Sequence, residues 1–519
     1  MSHSGVAATV LSAALWIISH GVAHGQDNAV NLRDFADRPP VDLVAQLYEK
    51  ECAVCHGESL QGAAQGPPLV GTPLSHGASL EELAHSTRAG FPDRGMPGWA
   101  PVLSSDQIHA LALFIAERRA GTDITDFRYS APLRIPEEPW ASEHYRLAID
   151  TIIAGLAPLP FSIAPLPDGR ILLTEKMRGL SIVSATGDQS PLIQGTPTAF
   201  ADAFTFGGQP MGLGWLMDVA PHPDYPRNGW IYLHYGDRCA ACNAAIRQPD
   251  QPVSMNKVVR GRIENGAWID QETIWEADPA TYTTMPEIAA GGRLSFDNQG
   301  FIYISIGIKG PAEHIGIQDL GQPYGKVLRL HDDGRIPQDN PFNGRPQTLP
   351  EIWTYGHRNP QGLEFDATTL RLWESEMGPR GGDELNILRA GRNYGWPLRS
   401  RGVAYDGTPI AFAEQLGIDL GATPIEEPVM DLTPSPAISS FVVYRGSMFP
   451  AWNGHIVAGT LRASDLLRLA VNGEAVTRAE TLLEDIARIR DVEIDASGAV
   501  LVLLEHDTGG AILRMRRDD

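Results

Sequence analysis

The feature that most constrains this chain is a unit that recurs six times, a tight turn followed by a short apolar run. Pro167-Asp168-Gly169 leads into Ile171-Leu172-Leu173, Pro223-Asp224 into Trp230-Ile231-Tyr232-Leu233, and Phe296-Asp297-Asn298-Gln299-Gly300 into Phe301-Ile302-Tyr303-Ile304. Phe365-Asp366 precedes Leu370 to Trp373, Pro450-Ala451-Trp452-Asn453-Gly454 precedes His455-Ile456-Val457-Ala458, and Asp495-Ala496-Ser497-Gly498 precedes Val500-Leu501-Val502-Leu503. Asp, Asn and Gly set such turns, and a short unbroken apolar run reads as a strand buried on both faces. Six copies of one turn predict six blades around a central channel, an all-β propeller whose repetition protects its sheet edges. An array of β-sandwiches is the alternative, but it does not predict so many copies of one turn. The intervals are uneven, so some loops are long, and long loops gather at a mouth and carry function. The 53 glycines and 40 prolines suit this turn-rich architecture.

At 519 residues the chain is too long for one ordinary domain. The repeats account for residues 148–519, and three shorter stretches organise the rest. Residues 1–25 read as a cleaved signal peptide: Val6 to Ile18 is an apolar run, and Ala23-His24-Gly25 offers small residues for cleavage. No later segment is long and apolar enough to span a bilayer, which leaves no integral membrane segment after cleavage and a periplasmic or secreted protein. Residues 121–147 carry Pro132, Pro136 and Pro139 without apolar periodicity and read as a semi-rigid linker with no further role. Cys239 and Cys242 lack a following histidine, and a local disulfide is their expected state outside the cell.

Residues 41–120 read as a small all-α class I cytochrome c domain. Cys52-Ala53-Val54-Cys55-His56 is the attachment signature of haem c: two thiols one helical turn apart take the vinyl groups, and the adjacent imidazole falls beneath the iron. Leu43, Val44 and Leu47 supply the apolar side of a preceding helix, and Gly66-Pro67-Pro68-Leu69 a loop to support His56. Met96, held out of regular structure in Gly95-Met96-Pro97-Gly98-Trp99, is the expected sixth iron ligand. Methionine paired with histidine raises the potential, as an electron acceptor requires. Ser104-Ser105-Asp106-Gln107 then caps a helix whose apolar side is Ile108, Leu111, Ile115 and Ala116.

The formal charge of −22 argues against nucleic acid and suits a neutral substrate and a basic redox partner. Within the repeats, chemistry concentrates in Arg358-Asn359-Pro360-Gln361-Gly362, Glu376-Met377-Gly378-Pro379-Arg380-Gly381-Gly382-Asp383-Glu384-Leu385-Asn386 and Asn393-Tyr394-Gly395-Trp396-Pro397. Glycine and proline let backbone carbonyls turn toward a ligand, Asp383 and Glu384 are hard oxygen donors, and Arg358 offers a planar fork for an anion.

These stretches resemble the glucose/sorbosone dehydrogenase family, soluble quinoproteins that carry pyrroloquinoline quinone (PQQ) and calcium on a six-bladed propeller. The likeness spans roughly residues 149–519. It implies oxidation of an aldose or related alcohol, with electrons passing to the fused haem and on to an external cytochrome or oxidase. Carried over by motif, Gly378 and Pro379 match the carbonyls that hold the active-site calcium, while Asp383, Glu384 and Tyr394 match a second, structural calcium region. Arg358, Asn359, Arg462, Arg488 and Arg490 match cofactor contacts. The family's general base is a histidine four residues before the arginine of Gly292-Arg293-Leu294, and here that position is Ala289. Two further family positions are changed, to Leu213 and Leu432. Glu287 and His314, in expected mouth loops, are the candidate replacement bases. The competing expectation is a haem electron-transfer protein whose propeller has lost sugar oxidation and serves as a binding module.

Overall fold

The computed structural model describes residues 41–124, 126–201, 204–206, 209–211, 213–247, 252–310 and 312–518, so the signal-peptide expectation lies outside it. No helix of the described residues is long and apolar enough to cross a membrane. The N-terminal unit is built from α1 (Leu43–Glu51), α2 (Ala53–His56), α3 (Leu80–Ala89) and α4 (Ser105–Ala120). Asp42 caps α1 by accepting from the amides of Val44 and Ala45 at 3.0 and 2.9 Å. On α1 the buried side chains are Val44 and Tyr48, whereas Leu43, expected on the apolar side, is 47 % exposed. The Tyr48 hydroxyl instead closes the unit, donating to the Gly57 carbonyl at 2.9 Å. The predicted capping box of α4 is present, with Ser104 and Gln107 bonding reciprocally. Every residue of α4 from Ala110 to Glu117 is buried, because the helix lies between two bodies rather than on a surface.

Among the described residues the propeller follows as six antiparallel blade sheets, five of them meanders and the sixth completed by an N-terminal strand, with one separate two-stranded hairpin. Their innermost strands are Pro160–Pro165, Leu216–Pro221, Gly291–Phe296, Pro360–Asp366, Ile438–Val443 and Arg488–Ile494, and each contacts the next until the last meets the first. All six turn-and-run units of the sequence form the second strand of a blade: Ile171–Glu175, Ile231–Cys239, Phe301–Ile306, Arg371–Glu376, Ile456–Thr460 and Val500–Glu505. The ring is closed by Arg146–Leu156, which pairs with the C-terminal Gly510–Arg517 in a register that sets Leu147 opposite Arg517 and Thr151 opposite Leu513. No edge is left between chain ends. Cys239 and Cys242 are disulfide-bonded at the end of the second strand of their blade.

The two units are packed together. Val403 of the propeller lies in the apolar core of the helical unit, and Arg380 reaches across to both Glu117 and Asp42. The segment after α4 departs from its expected role as a bare connector. Thr122 donates to the Pro434 carbonyl at 3.0 Å, the Asp507 amide to the Tyr129 carbonyl at 2.9 Å, and the Arg134 amide to the Ile486 carbonyl at 2.9 Å. It is laid along the propeller mouth, and its aromatic residues enter the site described next.

Candidate functional sites

The helical unit encloses an apolar cavity of ≈ 1220 Å³, counting its open mouth, lined by Cys52, Cys55, His56, Met96, Trp99 and Leu111 among others. The His56 ring bonds through Nδ1 to the Pro67 carbonyl at 2.8 Å, which leaves Nε2 as the ligating nitrogen. The Pro67 loop thus does what its sequence predicts. Met96 lines the same cavity from a loop whose backbone pairs with Phe91 at 2.8 and 3.2 Å. That loop lies hard against α3: a Cβ on Gly90 would meet the Pro97 backbone at 2.4 Å. Cys52 and Cys55 are not joined in a disulfide. The donor set, the fixed imidazole and the apolar walls fit a covalently held haem with His56 and Met96 as axial ligands.

The second cavity, of ≈ 880 Å³ with its mouth, opens at the end of the propeller where first strands begin and second strands finish. That geometry follows from the antiparallel hairpin, which returns the chain to the same face. Phe161, Gln361, Arg488 and Arg490 come from first strands, and Lys176, Met377 and Leu461 directly follow second strands. The Gly378–Pro379 turn forms one wall. It is tightly determined: the Gly378 amide donates to Asp383 Oδ1 at 3.0 Å, and the Ile438 amide to Asp383 Oδ2 at 2.8 Å. A Cβ on Gly378 would lie 2.1 Å from the Gly381 carbonyl oxygen. Arg358 donates to the Gly378 carbonyl at 2.9 Å and to Glu313 and Tyr405 at 3.1 Å.

Charge on the opposite wall is unbalanced. Lys176, Arg488 and Arg490 converge on the single buried carboxylate of Glu505, at 2.6, 3.1 and 2.8 Å. Burial alone would raise Glu505, but Arg490, Lys176 and Arg488 hold it far below the usual carboxylate range. Burial, seconded by Arg490, brings Lys176 down to about 7. Arg462 lines the same cavity, lowered by burial, with Asp383 the nearest opposing charge. A surplus of two positive charges in a desolvated wall fits a polyanionic ligand, and the Gly378 and Pro379 carbonyls fit a hard cation. Sequence reasoning did not single out Lys176 or Glu505. Each belongs to a second strand or the turn after it, and no local motif marks them.

Ala289 lines this cavity, so the missing histidine is missing where it would act. Of the proposed substitutes, Glu287 also lines it, whereas His314 stacks on Phe412 at 4.6 Å and is not among the lining residues. Glu287 accepts from Ser254 at 2.5 Å, the Gly214 amide at 3.0 Å and Lys309 at 3.1 Å. Leu213 and Leu432 are buried in packing outside the cavity lining, so of the three changed positions only Ala289 alters the lining.

The expected structural-calcium residues are divided. Asp383 and Glu384 are successive residues entering a strand and point to opposite sides, so Asp383 faces the cavity while Glu384 joins a separate acidic nest. In that nest one ligand atom each from His357, Glu374 and Glu376 lies within 4.8 Å of the others, all buried. Asn386 donates to Glu374 at 3.0 Å and to Glu384 at 3.4 Å, and Tyr394 stacks on His357 at 4.9 Å. Burial, then Glu376, raises both the Glu374 and Glu384 carboxyls. Glu374 Oε1, Asn386 Oδ1 and His357 Nδ1 have no hydrogen-bond partner among the described residues. Buried acceptors without donors fit a divalent cation held by oxygen ligands, with Glu374, Glu376 and Asn386 as donors the sequence did not reveal.

Comparison with known proteins agrees with both units. Residues 157–514 match the glucose/sorbosone dehydrogenase model, and residues 39–115 that of cbb3-type cytochrome c oxidase subunit III. Aldose sugar dehydrogenase YliI of Escherichia coli is 34 % identical over 356 residues, 67 % of this chain and 88 % of that protein. Quinoprotein glucose dehydrogenase B of Acinetobacter calcoaceticus is 32 % identical over 254 residues, 44 % of this chain and 48 % of that protein. The apo crystal structure of the soluble E. coli aldose sugar dehydrogenase superposes with a TM-score of 0.59 at 30 % identity, covering 72 % of this chain and all of that one. The six-bladed ring, its charged mouth and these matches place the chain in the glucose/sorbosone dehydrogenase family, here preceded by a cytochrome c-type domain.

Proposed function

We propose that this protein is an exported, haem c-containing quinoprotein dehydrogenase that oxidises an aldose or related alcohol and passes the electrons through its own haem to an external acceptor. The observation that carries the reading is the placement of one short turn. Gly378 and Pro379 wall a cation-rich cavity, and the next residue, Arg380, holds the cytochrome unit. The proposed oxidising site and the contact that docks the cytochrome unit are therefore built on adjacent residues.

Bound in the cavity, PQQ with a calcium ion on the Gly378 and Pro379 carbonyls would supply a two-electron acceptor polarised by a Lewis acid. The protein's residues supply the remainder. Lys176, Arg462, Arg488 and Arg490 bind carboxylates, Arg358 and Asn359 fix orientation, and Phe161, Trp215 and Ile288 exclude water. The hydroxyl proton needs an acceptor that Ala289 cannot provide. Glu287 lines the cavity and its carboxylate accepts from three donors, whereas Lys176, with a pKa of about 7, is kept protonated by a bound anion and serves as a carboxylate-binding cation. Glu287 is thus the proposed proton acceptor, and His314 is set aside.

Ala289 itself favours the second reading, an electron-transfer protein with a binding propeller. Titration of the haem-loaded protein with PQQ and Ca²⁺, followed by an aldose panel, separates the two. Sugar-dependent reduction of the haem, read as a shifted Soret band and a strengthened α band and requiring both additions, establishes the dehydrogenase. A normal haem spectrum without quinone binding leaves the electron carrier.

A further inference from the structure

The cavity wall facing the Gly378–Pro379 turn is completed by a segment that lies outside the matched family region. Phe127 and Tyr129, from the stretch joining the two units, both line the cavity. Tyr129 is 6 % exposed and belongs to an apolar cluster with Phe161, Trp215, Met217 and Ala290, against which Phe127 and Ile288 pack. The two rings are nearly parallel, 18° apart with centroids 6.4 Å from each other.

This placement is built, not incidental. Arg488 donates to the Phe127 carbonyl at 2.5 Å, and its guanidinium lies over the Tyr129 ring at 4.0 Å. The Tyr129 carbonyl is held by the Asp507 amide, and the Ala131 carbonyl by His506 at 3.1 Å. Between the two aromatics, Arg128 adopts φ +59°, uncommon for a residue other than glycine, and pairs outward with Asp485. The backbone is pinned on both sides of two rings that point into the cavity.

We propose that this strap is a wall of the cofactor site, with Phe127 and Tyr129 contacting a planar, polyanionic aromatic cofactor and governing its exchange with solvent. Arg488 ties the strap to the anion-binding wall, so a ligand whose carboxylate reaches Arg488 would lie beside the strap. Two parallel aromatic faces beside three converging cations suit a flat ring system bearing carboxylates and would hinder its escape. Because the strap continues from α4, cofactor retention depends on how the cytochrome unit is joined to the propeller. This inference rests on the quinone reading above and extends it to residues outside the propeller.

The test uses the full-length, haem-loaded protein with PQQ and Ca²⁺. Binding is followed by quenching of tryptophan fluorescence, to which Trp215 contributes, and release by trapping freed quinone with an excess of an apo-quinoprotein dehydrogenase. The variants are Phe127→Ala/Tyr129→Ala and the conservative Tyr129→Phe. The double variant is expected to release quinone about tenfold faster or more with an unchanged haem spectrum, and Tyr129→Phe to stay within about twofold of the parent. Equal release from parent and double variant overturns the wall and leaves the dehydrogenase reading standing. Quinone binding by the double variant but not the parent makes the strap a plug and overturns the retention role. Failure of all three proteins to bind quinone, each with a normal haem spectrum, overturns the quinone reading and this inference with it.

Discussion

Replacing Arg380 is the sharpest probe of how the two units are joined. Its guanidinium is 1 % exposed and lies 3.0 Å from Asp42 and 2.9 to 3.1 Å from the Glu117 oxygens, and Glu117 is itself 2 % exposed. Arg380→Met keeps most of the volume and leaves Glu117 buried without its counter-ion, a change that costs about 3–5 kcal/mol. Asp42 retains access to water and its two cap bonds, so its loss is smaller, roughly 1 kcal/mol or less. Burial already pushes the Glu117 carboxyl up against the opposing pull of Arg380. Without the arginine its folded-state pKa rises further above its unfolded value. Stability contributed by such a group is present below the unfolded pKa and lost as pH rises through the folded one. The variant should therefore be least impaired in mild acid and progressively weaker toward pH 8. Arg380→Met/Glu117→Gln removes both charges and should recover most of the loss. Urea denaturation of the haem-loaded protein, read by haem absorbance and tryptophan fluorescence, measures all three. A loss below about 1 kcal/mol at neutral pH, flat with pH and unrelieved in the double variant, would refute the claim that this pair holds the units together.

Three further outcomes are expected. An anionic cofactor supplies the counter-charge that keeps Lys176 protonated, so binding takes up a proton once free Lys176 has titrated at about 7. PQQ affinity should then fall between roughly pH 6 and 9 in the parent and not in Lys176→Met, as fluorescence titration would show. Gly378→Ala forces a Cβ to within 2.1 Å of the Gly381 carbonyl oxygen and should abolish calcium-dependent quinone binding while leaving the haem spectrum intact. Calcium at about 100 times its dissociation constant should stabilise the protein by about 2.7 kcal/mol through the His357–Glu374–Glu376 nest, and calorimetry of Glu374→Gln should show that increment reduced or lost.

What could be read in advance was what is local in sequence. The six turn-and-run units mark the first hairpin of every blade because a turn and its following strand are specified within ten or so residues. Cys52, Cys55 and His56 are likewise contiguous, and the loop partner of His56, Pro67, lies only eleven residues on. The charged wall was half legible: Arg488 and Arg490 share a strand and Glu505 is the cross-strand partner of Arg488 on the next one, but Lys176 joins them only because the ring closes blade six onto blade one. Asp383 and Glu384 were assigned together because they are adjacent, and strand pleating sends them to different sites. The aromatic strap was missed entirely. A proline-rich stretch without periodicity gives no sign that Tyr129 is buried, and Phe127 half-buried, against another domain.

These placements also bear on why the cytochrome is fused and docked, not merely tethered. A flexible tether would raise the local concentration of haem near the propeller and do no more. Here α4 is shared by both units. Leu111 and Ile115 line the haem cavity, while Leu113 faces Gly381, His109 bonds the Arg401 carbonyl at 3.2 Å and Glu117 holds Arg380. An α-helix with its side chains is about 10–12 Å across, so the cofactor-binding turn and the haem cavity are separated by roughly one helix. A segment hydrophobic on all sides is what such a position requires, and Ala110 to Ala116 of α4 are apolar and buried on all sides. The chain runs on from α4 to the strap that lines the second cavity. α4 and that strap together line the cysteine–histidine cavity, set its distance from the Gly378–Pro379 turn and complete the wall of the second cavity.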